Sequence, residues 1–179
     1  MKWYGFLAVF LVSMLFCDML YSVRMDFTTK NALIPEVAEF PSGELPLMGR
    51  NTVLSAQTVP KQSVVLFFFA SWCRPCVLEM PAVVEASQRH DVPFIGVAVR
   101  DTPEKIEKLF GTLGNPYQMV ALDKEMNWAK QLDADSLPVA FVLDGRGKIA
   151  ARIKGFMTRD FYMNTLLPYL QGLKNEKPL

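Results

Sequence analysis

Residues 64–81 read VVLFFFASWCRPCVLEMP, and the interpretation of this stretch decides the fold. The seven residues from Val64 to Ala70 are apolar, β-branched or aromatic, with no alternation. A strand covered on both faces has that pattern, whereas a half-exposed strand alternates. Ser71 and Trp72 form a short turn, and Cys73, Arg74, Pro75 and Cys76 then open an amphipathic helix that reaches about Arg89. Pro75 falls in the first turn, where its missing N–H removes no helical bond. The strand thus delivers two thiols to a helix N-terminus.

That placement favours thiolate over thiol at Cys73, because the first turn of a helix has unpaired N–H groups and a partial positive charge. Arg74 adds a cation beside it. Cys76 lies one turn later on the same face, so its sulfur can reach Cys73 and close a small ring. Zinc sites share the CxxC spacing, but a structural zinc needs two further Cys or His ligands. Only Cys17 and His90 remain, one in a membrane-like segment and one near the helix end. A pair that cycles between dithiol and disulfide is therefore the preferred reading.

Trp72-Cys73-Arg74-Pro75-Cys76, with Pro81 five residues past the second cysteine, resembles the thioredoxin superfamily. Glu79, in the pattern WCxPCxxEMP, narrows the likeness to membrane-anchored, extracytoplasmic thioredoxins of the TlpA, ResA and CcmG/DsbE kind. The likeness runs from about Val64 to the C-terminus. It implies an α/β thioredoxin fold, a central mixed β-sheet flanked by helices. It also implies that Pro138, in Ser136-Leu137-Pro138, is the cis-proline facing the CxxC, with Leu137 presenting its backbone to a bound peptide. Without the likeness a trans bond would be expected, since cis bonds are uncommon even before proline. The run FGTLGNPYQ, followed by a short strand and Asp123, resembles the insertion of the cytochrome c maturation members. Those members follow the proline with Glu and Thr, whereas Val139 and Ala140 stand here, so a polar contact to a client is missing.

The remaining chain agrees with one such domain. Its 179 residues carry nineteen basic and eighteen acidic side chains, a net charge of +1 that gives no reason to expect nucleic acid or an acidic substrate. Trp3 to Tyr21 has Asp18 as its only charge, and as a helix it would span roughly 28 Å, about a bilayer core. Lys2 favours a cytoplasmic N-terminus, although Arg24 and Lys30 reduce the asymmetry. A cleaved signal peptide competes with an anchor, but no A-x-A cleavage pattern follows the apolar run. The expected organisation is an N-terminal transmembrane helix over 1–22, a tether and lead-in over 23–61, a thioredoxin-like domain over 62–173 and a tail over 174–179. The lead-in is punctuated by Pro35, Pro41, Pro46 and Pro60. Within it, Phe40 to Leu47 is expected to dock on the core, and Thr52 to Leu54 with Thr58-Val59 could form a hairpin.

Beyond the first helix, Pro93 to Val99 is a second continuous apolar strand, completing a βαβ unit. Asp101 or Thr102 then caps a helix over Pro103 to Leu113, with Ile106, Leu109 and Phe110 inward and Gly114 at its end. Met119 to Asp123 reads as a strand, and Lys124 to Leu132 as a helix. Val139 to Asp144 and Lys148 to Lys154 read as an antiparallel pair about the turn Gly145-Arg146-Gly147. Thr158 or Arg159 opens a final helix to about Leu170, with Phe161, Leu166 and Leu167 inward.

The expected catalytic residues are Cys73, Cys76 and Glu79. A partly buried carboxylate at Glu79, three residues after Cys76, could take the Cys76 proton; the alternative is a solvated helix residue. Trp72, Arg74, Pro75, Leu137 and Pro138 are expected to contact the substrate, Trp72 also shielding the site. No metal and no cofactor beyond the redox pair is expected. The resemblance implies a thiol-disulfide oxidoreductase in the bacterial inner membrane, single-pass, with its domain in the periplasm. Its clients would be protein disulfides such as those of apocytochrome c, and its electrons would come from a transmembrane thiol donor of the DsbD or CcdA kind. Three other readings remain: a TlpA-like reductant for copper-site assembly in cytochrome oxidase, a copper-binding metallochaperone using the two thiolates as soft ligands, and an oxidase, which differs from the reductase only in the potential of the pair.

Overall fold

The computed structural model describes residues 33–89 and 93–175. The segments that carry Cys17, the apolar run from Trp3 to Tyr21, and His90 lie outside the described residues. Among the described residues, no helix is long and apolar enough to cross a membrane.

The elements are β1 (Leu33–Ala38), β2 (Leu45–Pro46), β3 (Val53–Leu54), β4 (Val64–Phe69), α1 (Arg74–Arg89), β5 (Phe94–Val99), α2 (Pro103–Leu113), β6 (Met119–Asp123), α3 (Asn127–Gln131), β7 (Val139–Leu143) and β8 (Ile149–Lys154). A C-terminal helical run follows in three pieces: α4 (Arg159–Phe161), a π-helical turn (Tyr162–Leu166) and α5 (Leu167–Asn175). Six strands form one mixed sheet in the order β1-β8-β7-β4-β5-β6. The β4–β5 and β5–β6 pairs are parallel, and the β4–β7, β7–β8 and β1–β8 pairs antiparallel. This is the expected thioredoxin arrangement.

β4 lies at the centre, and every one of its residues is buried. Side chains of a strand alternate between faces, so Val65, Phe67 and Phe69 pack with α1, Ile106 of α2 and the C-terminal helices, among them Phe161, Leu166 and Leu170. Val64, Leu66 and Phe68 pack on the other face with Leu45, Leu54 and Trp128. Complete burial of each phenylalanine contributes about 2–3 kcal/mol from apolar area alone. The uninterrupted apolar run is thus the consequence of two cores sharing one strand.

The lead-in differs from its expected form. Leu33–Ala38, inside the stretch read as a tether, is an edge strand on β8. Pro35 conceals it in the sequence, since proline in a strand is confined to edges or bulges, and here the register shifts between Pro35 and Ala38. Arg152 ties the edge down: its guanidinium pairs with Glu36 at 2.7 Å and lies 5.0 Å from the centre of the Phe141 ring. Val53–Leu54 does form a hairpin strand, but with Leu45–Pro46 rather than Thr58-Val59. Thr58 instead closes a turn, its Oγ1 accepting the Ser55 N–H at 2.8 Å and donating to the Val53 carbonyl at 2.9 Å. Phe40 meets Trp128 edge to face with ring centres 4.9 Å apart, so the stretch before β2 does dock.

Three other boundaries move for local reasons. The helix expected from Lys124 begins at Asn127 because the buried Asp123 carboxylate accepts the N–H groups of Asn127, Trp128 and Ala129 at 2.6, 3.1 and 2.8 Å. A carboxylate held by three amides at a helix start takes over the role of the missing turn. β7 stops at Leu143 because Asp144 accepts from the Arg146 and Lys148 amides, both at 2.9 Å. The last helix, capped by Thr158 Oγ1 on the Phe161 N–H, continues past Leu170 to Asn175 through the π turn.

Candidate active site

β4 ends at Phe69, and the chain turns at once: the Cys73 N–H donates to the Ala70 carbonyl at 3.1 Å, so Ala70 to Cys73 is a four-residue turn with Ser71 and Trp72 at its middle. α1 starts at Arg74, and the Cys73 carbonyl accepts its first bond, from Val77, at 3.0 Å. Cys73 therefore stands at the cap position. Its Sγ accepts the Cys76 N–H at 3.3 Å, in the place where a serine or aspartate oxygen usually satisfies an orphan amide. Cys73 and Cys76 are joined as a disulfide with their Cα atoms 5.3 Å apart. Cys73 is 5% exposed and Cys76 1%. Trp72, Arg74 and Pro75 surround it on the surface.

The register between β4 and β7 brings in the second expected element. Phe68 is paired with Val139, so one step further along the antiparallel pair places Pro138 beside Phe69, at the end of the sheet that carries the cysteines. The Leu137–Pro138 bond is cis. Pro138 is buried and Leu137 half-buried, and the Pro138 carbonyl accepts the Gly155 N–H at 3.0 Å.

Glu79 is not solvated. Its side chain is 1% exposed on the face of α1 that carries Cys76, and its Oε2 accepts the Met157 N–H at 2.7 Å. Burial pushes its carboxyl up from the ordinary 4.5 to about 8, with the Met157 bond pulling the other way. α1 continues without interruption through Pro81.

Two residues that sequence reasoning missed lie with Glu79. Tyr117 and Tyr162 are buried, and their hydroxyls, like Glu79 Oε1, have no hydrogen-bond partner among the described residues. Burial pushes both phenols well above their ordinary range, and the Glu79 carboxyl adds to the effect. Tyr117 stacks on Phe69 with ring centres 4.9 Å apart. Gly96 makes room for the stack, since a Cβ there would lie 2.8 Å from the Phe69 ring and 3.0 Å from that of Tyr117. The sequence offered Tyr117 only as part of GNPYQ and Tyr162 only as one aromatic of a helix face, and neither context signals a polar cluster.

Asp101, expected as a helix cap, does something else as well. Its Oδ2 accepts the Ser71 N–H at 2.5 Å, and its Oδ1 accepts both the Ser71 hydroxyl and the Thr102 N–H at 2.9 Å. Thr102 occupies the cap position of α2 and makes no side-chain cap bond.

The family model described as Redoxin matches residues 35–166. A DsbE homolog of Paracoccus denitrificans, named a thiol:disulfide interchange protein, is 33% identical over 135 residues, 74% of each chain. A probable thiol:disulfide interchange protein DsbE-2 of Pasteurella multocida is 29% identical over 123 residues, 69% of this chain and 64% of that protein. The stretch matched to the Pasteurella protein is thus under two thirds of its length. The crystal structure of a putative DsbE from Chlorobium tepidum superposes with a TM-score of 0.63 at 21% identity, covering 76% of this chain and 99% of that one. The match over residues 35–166, well over half of the chain, places this thioredoxin-fold chain in the redoxin family.

Proposed function

We propose that the chain is a thiol-disulfide oxidoreductase that reduces disulfides of other proteins through Cys73 and Cys76. The observation that carries this reading is the sulfur of Cys73 standing at a helix cap, bonded to an amide and slightly exposed, with Cys76 behind it. In the oxidised form a donor thiolate attacks Cys73 Sγ and Cys76 leaves as thiolate; a second donor thiol then frees Cys73 and leaves the dithiol. The Cys73 thiolate, stabilised by the α1 amides, attacks a client disulfide, and one client sulfur departs as thiol. Cys76 then attacks Cys73 Sγ, the mixed disulfide breaks, and the second client sulfur is released.

Cys76 must lose a proton to make that attack. Burial brings the Glu79 carboxyl up to about 8, into the range where a general base works well near neutral pH. Cys76 and Glu79 are i and i+3 on α1, neighbours on one helix face.

The finer assignment is an apocytochrome c reductant held outside the cytoplasm by an N-terminal membrane anchor and recharged by a transmembrane thiol donor. Its support is the Glu79 pattern, the GNPYQ run and the interchange-protein names of the relatives. Trp72, Arg74, Pro75, Leu137 and Pro138 would form the client surface, with Leu137 offering backbone bonds to an extended peptide. The test is a trapping experiment with Cys76→Ser: mixed disulfides should accumulate on Cys73 with apocytochrome c. Recovery of other clients alone would remove the cytochrome assignment, and no trapped client at all, with no insulin reduction by the parent, would remove the reductase reading.

A further inference from the structure

The turn that sets down Cys73 is fastened from outside. β4 and β5 are parallel with Phe69 beside Ala98, so the residues after β4 run alongside those after β5, and Ser71 comes to lie by Arg100 and Asp101. Both central residues of the Ala70–Cys73 turn are held there. Asp101 takes the N–H and the hydroxyl of Ser71, and the Trp72 indole N–H donates to the Arg100 carbonyl at 3.2 Å. Arg100 has φ +49, a left-handed conformation that a side chain other than glycine rarely adopts. Its own N–H is bound to the Asp123 carbonyl at 3.2 Å. The β5–α2 loop is thereby bent so that the buried Asp101 carboxylate points back across the end of the sheet. Its third bond, to Thr102, joins the clamp to the start of α2.

We propose that Asp101 is a positioning residue for the redox pair, fixing the Ser71–Trp72 turn so that Cys73 Sγ stays within reach of Cys76 when the disulfide is open. This rests on the oxidoreductase reading above, but concerns a step that needs no client. In the closed form the covalent bond holds the two sulfurs together. In a mixed disulfide only the turn and the first bonds of α1 do so, and ring closure within one molecule depends steeply on such placement. Asp101 touches neither sulfur, so it acts through Ser71.

The test is the closure rate of a glutathione mixed disulfide. Reduced protein is treated with oxidised glutathione, whereby Cys73 forms a bond to one glutathione sulfur and the other leaves as thiol. Closure follows when Cys76 attacks Cys73 Sγ and releases the second glutathione, which is timed by quenched-flow mass analysis. Asp101→Ala, which loses all three bonds, should close at least about ten-fold more slowly than the parent. Asp101→Asn, which keeps one oxygen acceptor for the Ser71 N–H, should recover part of the loss, and Ser71→Ala, which keeps the backbone bond, should fall between. Asp144→Ala, which frees the Arg146 and Lys148 amides at the opposite end of β7, supplies the stability control. Parental closure rates in Asp101→Ala, or an equal slowing in Asp144→Ala, would overturn the proposal. If Asp101→Ala does not fold, Ser71→Ala decides: slower closure supports the clamp and an unchanged rate refutes it. Failure to reduce any client, with the clamp variants still slow to close, would count against the function and leave the positioning role standing.

Discussion

Replacing Glu79 by Gln should change how stability depends on pH, and the structure gives the size of the change. Glu79 is buried, with one oxygen on the Met157 amide and the other unpartnered. In the folded protein its carboxyl titrates near 8, against 4.5 in the ordinary state. Below 4.5 both folded and unfolded chains carry the proton, and the group makes no difference between them. Between 4.5 and 8 the unfolded chain has lost the proton and the folded one has kept it, so the folded state binds more protons and stability falls as pH rises. At 1.36 kcal/mol per pH unit the whole interval amounts to about 5 kcal/mol, and the window from pH 5 to 7 to about 3 kcal/mol. Above 8 the effect is complete. The assay is urea unfolding of the oxidised parent and Glu79→Gln at pH 5, 6, 7 and 8. With the disulfide closed neither Cys73 nor Cys76 titrates, and every other group is common to both proteins. The parent should lose about 3 kcal/mol relative to the variant between pH 5 and 7. Parallel stability curves would refute the buried, proton-holding carboxyl and with it the acid–base role.

Other expectations follow from the same geometry. Glu79→Gln should also slow the Cys76 attack about 10²-fold, read as the closure rate of the glutathione mixed disulfide and distinguished from misfolding by an unchanged far-ultraviolet spectrum. Tyr117→Phe and Tyr162→Phe each remove a buried hydroxyl without a partner, so each should leave stability unchanged or raise it by about 1 kcal/mol in urea melts. A loss above that size would reveal a hydrogen bond. Trp72→Ala, at a side chain 57% exposed, should alter stability by less than about 1 kcal/mol while raising KM for a protein disulfide; an unchanged KM would remove Trp72 from the client surface. Asp123→Ala frees three amides at the start of α3 and should cost about 3 kcal/mol, measured by thermal unfolding.

What the sequence showed depended on how local the cause was. The buried strand and the cysteine-bearing helix are legible because hydrophobic continuity and helix-start chemistry are written in adjacent residues, and β4 and α1 lie where the run of residues 64–89 puts them. β1 was hidden because its partner β8 lies more than a hundred residues away and its proline argued for a tether. Glu79 could be placed on the right helix face, but the amide that holds its carboxyl belongs to Met157, 78 residues further on. The same distance hides Tyr162, and the Asp101 clamp depends on strand register, which no local pattern specifies.

The buried carboxyl also decides a balance that the sequence alone left open. The α1 amides favour a thiolate at Cys73, whereas a carboxylate near the pair would oppose one. These effects conflict only when Glu79 is charged. With burial raising the carboxyl to about 8, it is mostly neutral at pH 7 and leaves the helix terminus largely unopposed at Cys73. Only the minority of molecules that hold the carboxylate can take the Cys76 proton, and on taking it the carboxyl returns to the neutral state that burial prefers. The site is thus reset by the same desolvation that set it, and mixed-disulfide closure should speed up toward pH 8 more steeply in the parent than in Glu79→Gln, because the fraction of molecules with a carboxylate ready to take the Cys76 proton grows; equal profiles would take Glu79 out of that step.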